Sequence, residues 1–364
     1  LITAPAPAPS VGLQTPSASL QSAWTTGERA ALGTPFRDGT VVTFSTHSVH
    51  GRNARTGATT WSYTRTNRTL CQVIQDQGFT VAMFELNGNC DQVTALDSTT
   101  GVRRWTRTLD EDGAPLNGYP TYSVTADTIM LTTAQVIYAI DPISGLDRWV
   151  YQPTRCAITN AVLGSGGALI SQRCTAPPCD GLDFCGSGPQ LLLRDASAAH
   201  TDDQSHKANP DRIKWNRIGN TAVPMSADQI LTAVDRTTNK LEILAPRDGS
   251  VRATLPVRAG PPDTPVAQVA TSQAELLWID GVTYALGLSD DRLLWTRPTR
   301  GAPTSVTSSA LITAVGVDGL VLLDPSTGKT TRLFPEAAPF TTGARAYEFG
   351  SGFIVAESAT TVYR

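Results

Sequence analysis

"ALDSTTGVRRW" at 95–105 returns at 139–149 as "AIDPISGLDRW". Each string runs from a small apolar residue to Asp (Asp97, Asp141), then to Gly four residues on (Gly101, Gly145), then to Trp after four more (Trp105, Trp149). The same 11-residue frame recurs, with losses, as "GRNARTGATTW" (51–61), "ILAPRDGSVRA" (243–253), "ALGLSDDRLLW" (285–295) and "LLDPSTGKTTR" (322–332). Trp61, Trp105 and Trp149 are spaced by 44 residues, and a period in the forties is the signature of a repeat architecture.

The frame reads as a hairpin. Its Asp or Asn (Asn53, Asp97, Asp141, Asp324) ends an apolar strand and holds a turn through its side chain, while Gly (Gly57, Gly101, Gly145, Gly249, Gly328) permits a positive φ. The tryptophan after the turn is placed to fill the gap between one sheet and the next, so Trp24, Trp61, Trp105, Trp149, Trp215 and Trp295 are expected to dock blades rather than do chemistry. Between frames lie short β-branched runs such as "TVVTFST" (40–46), "FTVAMFEL" (79–86) and "ELLWID" (275–280), with no helical period. Each unit is then four antiparallel strands, the blade of a propeller. Seven units end near Trp61, Trp105, Trp149, Trp215, Ala253, Trp295 and Arg332, and "TTVYR" (360–364) closes an eighth that lacks its outer strand. "LQSAWTT" (20–26) supplies that strand, so the expected fold is an all-β, eight-bladed β-propeller over 20–364, closed by its N-terminus; seven blades is the alternative count.

Composition narrows the class. The chain has 364 residues, 40% apolar and 17% charged, with 30 Gly and 24 Pro, as a turn-rich folded chain has. A net charge of -3 with scattered Lys and Arg excludes a nucleic-acid footprint. No stretch approaches the roughly 20 apolar residues of a membrane span. The Pro/Ala-rich segment 1–19 reads as an extended linker, of the kind that separates a domain from a membrane anchor.

Cys71 and Cys90 are 19 residues apart and Cys156 and Cys174 are 18 apart, each pair beginning shortly after a repeat Trp. They are read as two equivalent disulfides, with a local third between Cys179 and Cys185, in an oxidising compartment; a zinc site is the rival, weakened by the lack of a C-x2-C. The fourth unit is irregular. "TAPPCDGLDFCGSGP" (175–189) lengthens its second-to-third connection and "HTDDQSHKANPDR" (200–212) its third-to-fourth, on opposite faces of the ring.

The A-x-D-x-x-T-G-x-x-x-W frame at 95–105 and 139–149 resembles the pyrroloquinoline-quinone (PQQ) type repeat family. That family includes quinoprotein alcohol dehydrogenases and non-catalytic relatives: an outer-membrane assembly scaffold lipoprotein and the extracellular propellers of membrane-anchored kinases. The resemblance implies, for the enzymes, a quinone over a Trp at the ring centre, calcium held by Glu and Asn, a catalytic Asp and a disulfide between adjacent cysteines. No adjacent Cys pair and no matching ligand set is present, so no cofactor is expected and the enzyme reading, a PQQ-dependent dehydrogenase, is the lesser alternative.

Other signals are read as structural. His200, Asp202, Asp203 and His206 lie in a polar insert, "LDEDG" (109–113) lacks the spacing of a calcium loop, His47 and His50 have no nucleophile beside them, and "NRT" (67–69) is a glycan sequon by pattern. The reading is therefore a monomeric, non-enzymatic scaffold outside the cytoplasm, extracellular or on the periplasmic side and membrane-anchored, that binds a protein or cell-envelope ligand. Its expected face carries Leu182, Asp183 and Phe184 on the Cys179–Cys185 loop, beside Asp110, Glu111 and Asp112. The alternative is the ligand-sensing ectodomain of a receptor such as a bacterial Ser/Thr kinase.

Overall fold

The computed structural model describes residues 20–76, 78–86, 88–109, 120–153, 155–175, 187–196, 212–260, 266–305, 311–335, 340–349 and 352–364. The Pro/Ala-rich segment 1–19 lies outside them. Eight small sheets follow one another around a ring. Blade 3 shows the plan: Thr121–Val124, Ile129–Thr132, Ile137–Ile140 and Asp147–Tyr151 pair antiparallel in chain order. Its two middle strands are buried throughout, because neighbouring blades cover both faces, and so they read as unbroken apolar runs. Outer strands alternate instead, as in Leu293–Pro298 of blade 6. First strands of successive blades adjoin and line the axis.

The ring closes through its ends, as expected. Blade 8 consists of Arg345–Phe349, Gly352–Ala356 and Thr360–Tyr363, and Ser22–Thr26 adds the outer strand, with Trp24 opposite Val362 and Ser22 opposite Tyr363. Gln21 and Arg364 exchange both backbone hydrogen bonds, at 2.7 and 2.8 Å.

The frame does what its chemistry dictates. Asp97 Oδ1 accepts from the amides of Thr99 and Thr100, both at 3.0 Å, and Asp141 Oδ1 accepts from Ile143 and Ser144 at 2.9 and 2.8 Å. Gly101 (φ 70°) and Gly145 (φ 76°) complete these turns in the left-handed region. Each indole N–H then donates to a carbonyl in the next blade's turn: Trp24 to Ala54, Trp61 to Ser98, Trp105 to Pro142, Trp149 to Ala196, Trp215 to Pro246 and Trp295 to Pro325, at 2.8–3.3 Å.

Blade 1 departs from four plain strands. Its first strand is split: Arg29–Ala30 and Phe36–Arg37 pair antiparallel with Thr40–Phe44, while Leu32–Gly33 swings between them to pair parallel with Leu70–Asp76, the first strand of blade 2. Two disulfides lie among the described residues, and they are not equivalent. Cys156 and Cys174 are direct ladder partners on the first two strands of blade 4, with Cα atoms 4.0 Å apart. Cys71 and Cys90 join the first strand of blade 2 to its third, with Cα atoms 6.0 Å apart, both at register shifts of their strands. The reason is strand length: in blade 2 the spacing spans all of Phe79–Leu86 and reaches Asn89–Asp97, whereas in blade 4 the nine-residue first strand and eight-residue second strand consume it.

Candidate functional site

The axis is where the family resemblance implies a quinone. Tyr122, on the first strand of blade 3, lies close enough to Arg345 on the first strand of blade 8 for the guanidinium to act on its phenol, although blades 1 and 2 stand between them. Such a contact has to cross the central hole. Arg345 also acts on Tyr347, the backbone of Gly33 approaches Tyr122, and Asp76 of blade 2 lies close enough to act on both phenols. Burial pushes both phenols up; it also works to discharge Arg345, but the two tyrosines outweigh it and hold the guanidinium charged. The split strand of blade 1 thus serves as one wall of a side-chain bridge across the axis.

All seven tryptophans fall among the described residues, and none stands on a first strand: Trp278 lies in the second strand of blade 6 and the other six in outer strands. These axial residues do not fit a quinone stacked on an indole. Among the described residues no group of three or more His, Cys, Asp or Glu is arranged to hold a metal ion. His50 is engaged by Glu28, Nδ1 to Oε1 at 2.8 Å, and Glu28 is further held by Thr43 and Arg52. His47 Nδ1 lies 2.6 Å from the Arg68 carbonyl.

The two faces of the ring differ in what they carry. Connections within a blade from first to second and from third to fourth strand share the turn face; second-to-third and inter-blade connections share the loop face. The residues expected to bind, Asp110, Glu111, Asp112, Leu182, Asp183 and Phe184, lie outside the described residues, as do Cys179 and Cys185 and the cluster His200, Asp202, Asp203 and His206. Their roots are described. Leu109 is buried, its amide bonded to Asp91 O at 2.9 Å and its carbonyl accepting from the Tyr138 hydroxyl at 2.5 Å. Thr175 closes onto Arg155 O at 3.0 Å, directly after Cys174. Both disulfides sit at the loop-face ends of their strands, beneath these two roots. Asn67 of the sequon is exposed on the same face.

One recurrent device was missed in the sequence. Two residues after the Trp, Arg107 clamps Asp147 of the next blade with both nitrogens at 2.9 Å and bonds Gly145 O at 2.8 Å. Arg217 reaches Glu242 at 2.9 Å and Arg297 reaches Gly328 O at 3.2 Å in the same sense. The signal was present as "WTR" (105–107), "WNR" (215–217) and "WTR" (295–297).

A family model described as outer membrane protein assembly factor BamB matches residues 16–169. Among solved structures, BamB from Moraxella catarrhalis superposes with a TM-score of 0.54 at 16% identity, over 95% of this chain and 99% of that one. Quinohemoprotein alcohol dehydrogenase from Comamonas testosteroni gives 0.53 at 11% identity, over 95% of this chain and 76% of that one. The chain is an eight-bladed β-propeller, and its residues 16–169 carry the PQQ-type repeat that the family model describes. The computationally designed Ika8 protein gives a TM-score of 0.61 at 10% identity, over 94% of this chain and 98% of that one, so a likeness at this level is to the fold alone. No curated protein sequence matches this chain.

Proposed function

We propose that this PQQ-type propeller is a non-enzymatic interaction scaffold working outside the cytoplasm, and that it binds its protein partner with the loop face of blades 2 to 4. The observation that carries the reading is the placement of both disulfides at the roots of the two long loop-face connections, on blades 2 and 4. A cross-link at the base of a loop lowers the entropy lost when that loop is held by a partner, and disulfides of this kind persist in oxidising compartments. The approach of Arg345 to Tyr122 across the axis, with every Trp on a second or outer strand, supports the non-enzymatic half of the reading. The match of residues 16–169 to a model of an outer membrane assembly factor supports a protein partner in the cell envelope.

The test is affinity capture from envelope extract with wild type, with Phe184→Ala, and with Asp110→Asn/Asp112→Asn. A partner captured by wild type and lost with both loop variants supports the reading. The same partners recovered in equal amount by all three proteins would remove the loop face from consideration.

A further inference from the structure

The joint between blades 5 and 6 lacks the wedge that the others carry. A docking tryptophan stands at six of the eight joints, and between blades 7 and 8 Phe334 meets Phe353 with ring centroids 4.9 Å apart. Between blades 5 and 6 the docking position holds Ala253, and among the described residues no pair of aromatic rings spans the joint. An aliphatic cluster that includes Ile243, Leu255 and Leu277 fills its interior. At its rim Arg252 pairs with Asp291, which stands where the frame has Gly, and an ion pair with a half-exposed guanidinium holds little.

The same joint buries a carboxyl. Glu275, on the second strand of blade 6, is 0% exposed. Its Oε2 accepts from the Ile230 amide of blade 5 at 3.1 Å, and its Oε1 is buried without a hydrogen-bond partner among the described residues. Burial pushes this carboxyl up, against Ser226 and the Ile230 amide, and the nearby Asp228 pushes it further. Asp228 is itself the point where three blades meet. Its Oδ1 accepts from the Ser165 amide of blade 4 at 2.9 Å and its Oδ2 from Gln268 Nε2 of blade 6 at 2.5 Å. Beside it the Gly166 amide of blade 4 donates to Ala227 O at 2.7 Å.

The other charged groups around the joint are already engaged and stand at its margins. Arg252 and Asp291 pair at the rim, Arg258 and Asp280 pair on the connection from blade 5 and the middle turn of blade 6, and Lys214 Nζ donates to Gly166 O on blade 4. Residues 212–298 contain no histidine. Asp228 is thus the charged group, among the described residues, that acts on Glu275.

We infer that the joint between blades 5 and 6 is a proton-operated seam: with Glu275 protonated the two blades stay closed, and with Glu275 ionised beside Asp228 this joint opens while the tryptophan-docked joints stay shut. An ionised Glu275 has one amide and a like charge for company, so exposure to water favours it, and no indole holds the blades against that pull. Local opening of one joint within a stable ring is the expected response. The inference does not rest on the function proposed above.

Hydrogen–deuterium exchange of the whole protein tests it, read by mass spectrometry at pH 5 and pH 8 with each rate divided by the intrinsic amide rate at that pH. Peptides within 226–232 and 266–279 should lose about tenfold or more of their protection at pH 8, while those within 129–151 of blade 3 change by less than about twofold. Glu275→Gln should remove the loss. Ala253→Trp/Asp291→Gly, which gives this joint the residues that the other joints use, should shrink the loss with Glu275 in place, and it keeps the test open should Glu275→Gln fail to fold. The inference is overturned by no loss at all, by an equal loss in blade 3, which would mean global unfolding, by a loss that Glu275→Gln retains, or by one that Ala253→Trp/Asp291→Gly leaves unchanged.

Discussion

Gly101→Ala tests how the wheel is held together. At φ 70° an alanine is forced into the left-handed region, at a cost of about 1–2 kcal/mol. Its Cβ would also stand 2.5 Å from Trp61 Cε3. The indole has nowhere to go, because on its other side a Cβ on Gly51 would be 2.0 Å from Trp61 Nε1; the ring is boxed between two glycines and only 9% exposed. Expelling it forfeits about 2–3 kcal/mol of burial and about 1 kcal/mol for the hydrogen bond to Ser98 O. Gly101→Ala should therefore cost about 4–6 kcal/mol. Gly39→Ala, with φ 79° and nothing within 4 Å of its Cβ, should cost only the left-handed part, about 1–2 kcal/mol. In a Trp61→Ala background the Gly101→Ala cost should fall to that same level, a coupling of about 3–4 kcal/mol. Thermal unfolding followed by far-UV circular dichroism reads this out at about 1.5 °C per kcal/mol for a ring of this size, provided unfolding is reversible. Equal costs of Gly101→Ala in both backgrounds would refute the docking argument and leave Gly101 as a turn residue only.

Two further outcomes follow from the joints and staples. Glu275 of blade 6 is fully buried and accepts from the Ile230 amide of blade 5 at 3.1 Å; burial pushes its carboxyl from near 4.5 to about 7, with Asp228 adding to the shift and a Ser226 hydrogen bond opposing it. Between those two values the folded chain keeps a proton that the unfolded chain has lost, so stability should fall as pH rises from 4.5 through about 7 and then level. Glu275→Gln should abolish that slope and raise stability by roughly 3 kcal/mol at pH 8 relative to pH 5, read as the difference between variant and wild-type melting temperatures at the two pH values. Cys71→Ser/Cys90→Ser and Cys156→Ser/Cys174→Ser close loops of similar length, so each should cost about 3 kcal/mol by the chain-entropy argument, measured by thermal unfolding of the two variants. A markedly larger loss for one pair would mean that strand context, not loop closure, sets the stabilisation.

The fold was legible because its decisive interactions are written locally. Asp97, Gly101 and Trp105 act within nine residues of chain, and an indole that needs a neighbour announces both the blade and the joint. The split first strand of blade 1 was not legible, since Leu32–Gly33 finds its partner in a strand of the next blade and no pattern in "ALGTPF" (31–36) marks the exchange. Nor was the Tyr122 to Arg345 bridge, which exists only because ring closure brings distant first strands across one hole. The disulfide pairing was readable from spacing, while its inequivalence needed the strand lengths of blades 2 and 4.

The places where the frame fails show what it encodes. Trp24, Trp61, Trp105, Trp215 and Trp295 lie against Gly57, Gly101, Gly145, Gly249 and Gly328 of the following blades. Where blade 5 has Ala253 in place of Trp, the turn of blade 6 has Asp291 in place of Gly, still left-handed at φ 55°, and Arg252 of blade 5 pairs with it. Where blade 7 has Arg332, the turn of blade 8 at 356–360 contains no glycine at all. A left-handed backbone alone does not select glycine here, because Asp291 serves. At five of the six docking indoles the floor is a glycine without a Cβ; Trp149 is the exception, since the connection at 195–212 on which it docks contains no glycine. The repeated frame is thus a code for how one blade meets the next, written in residues that face neither the axis nor the loops, so it sets the ring and leaves the ligand unspecified.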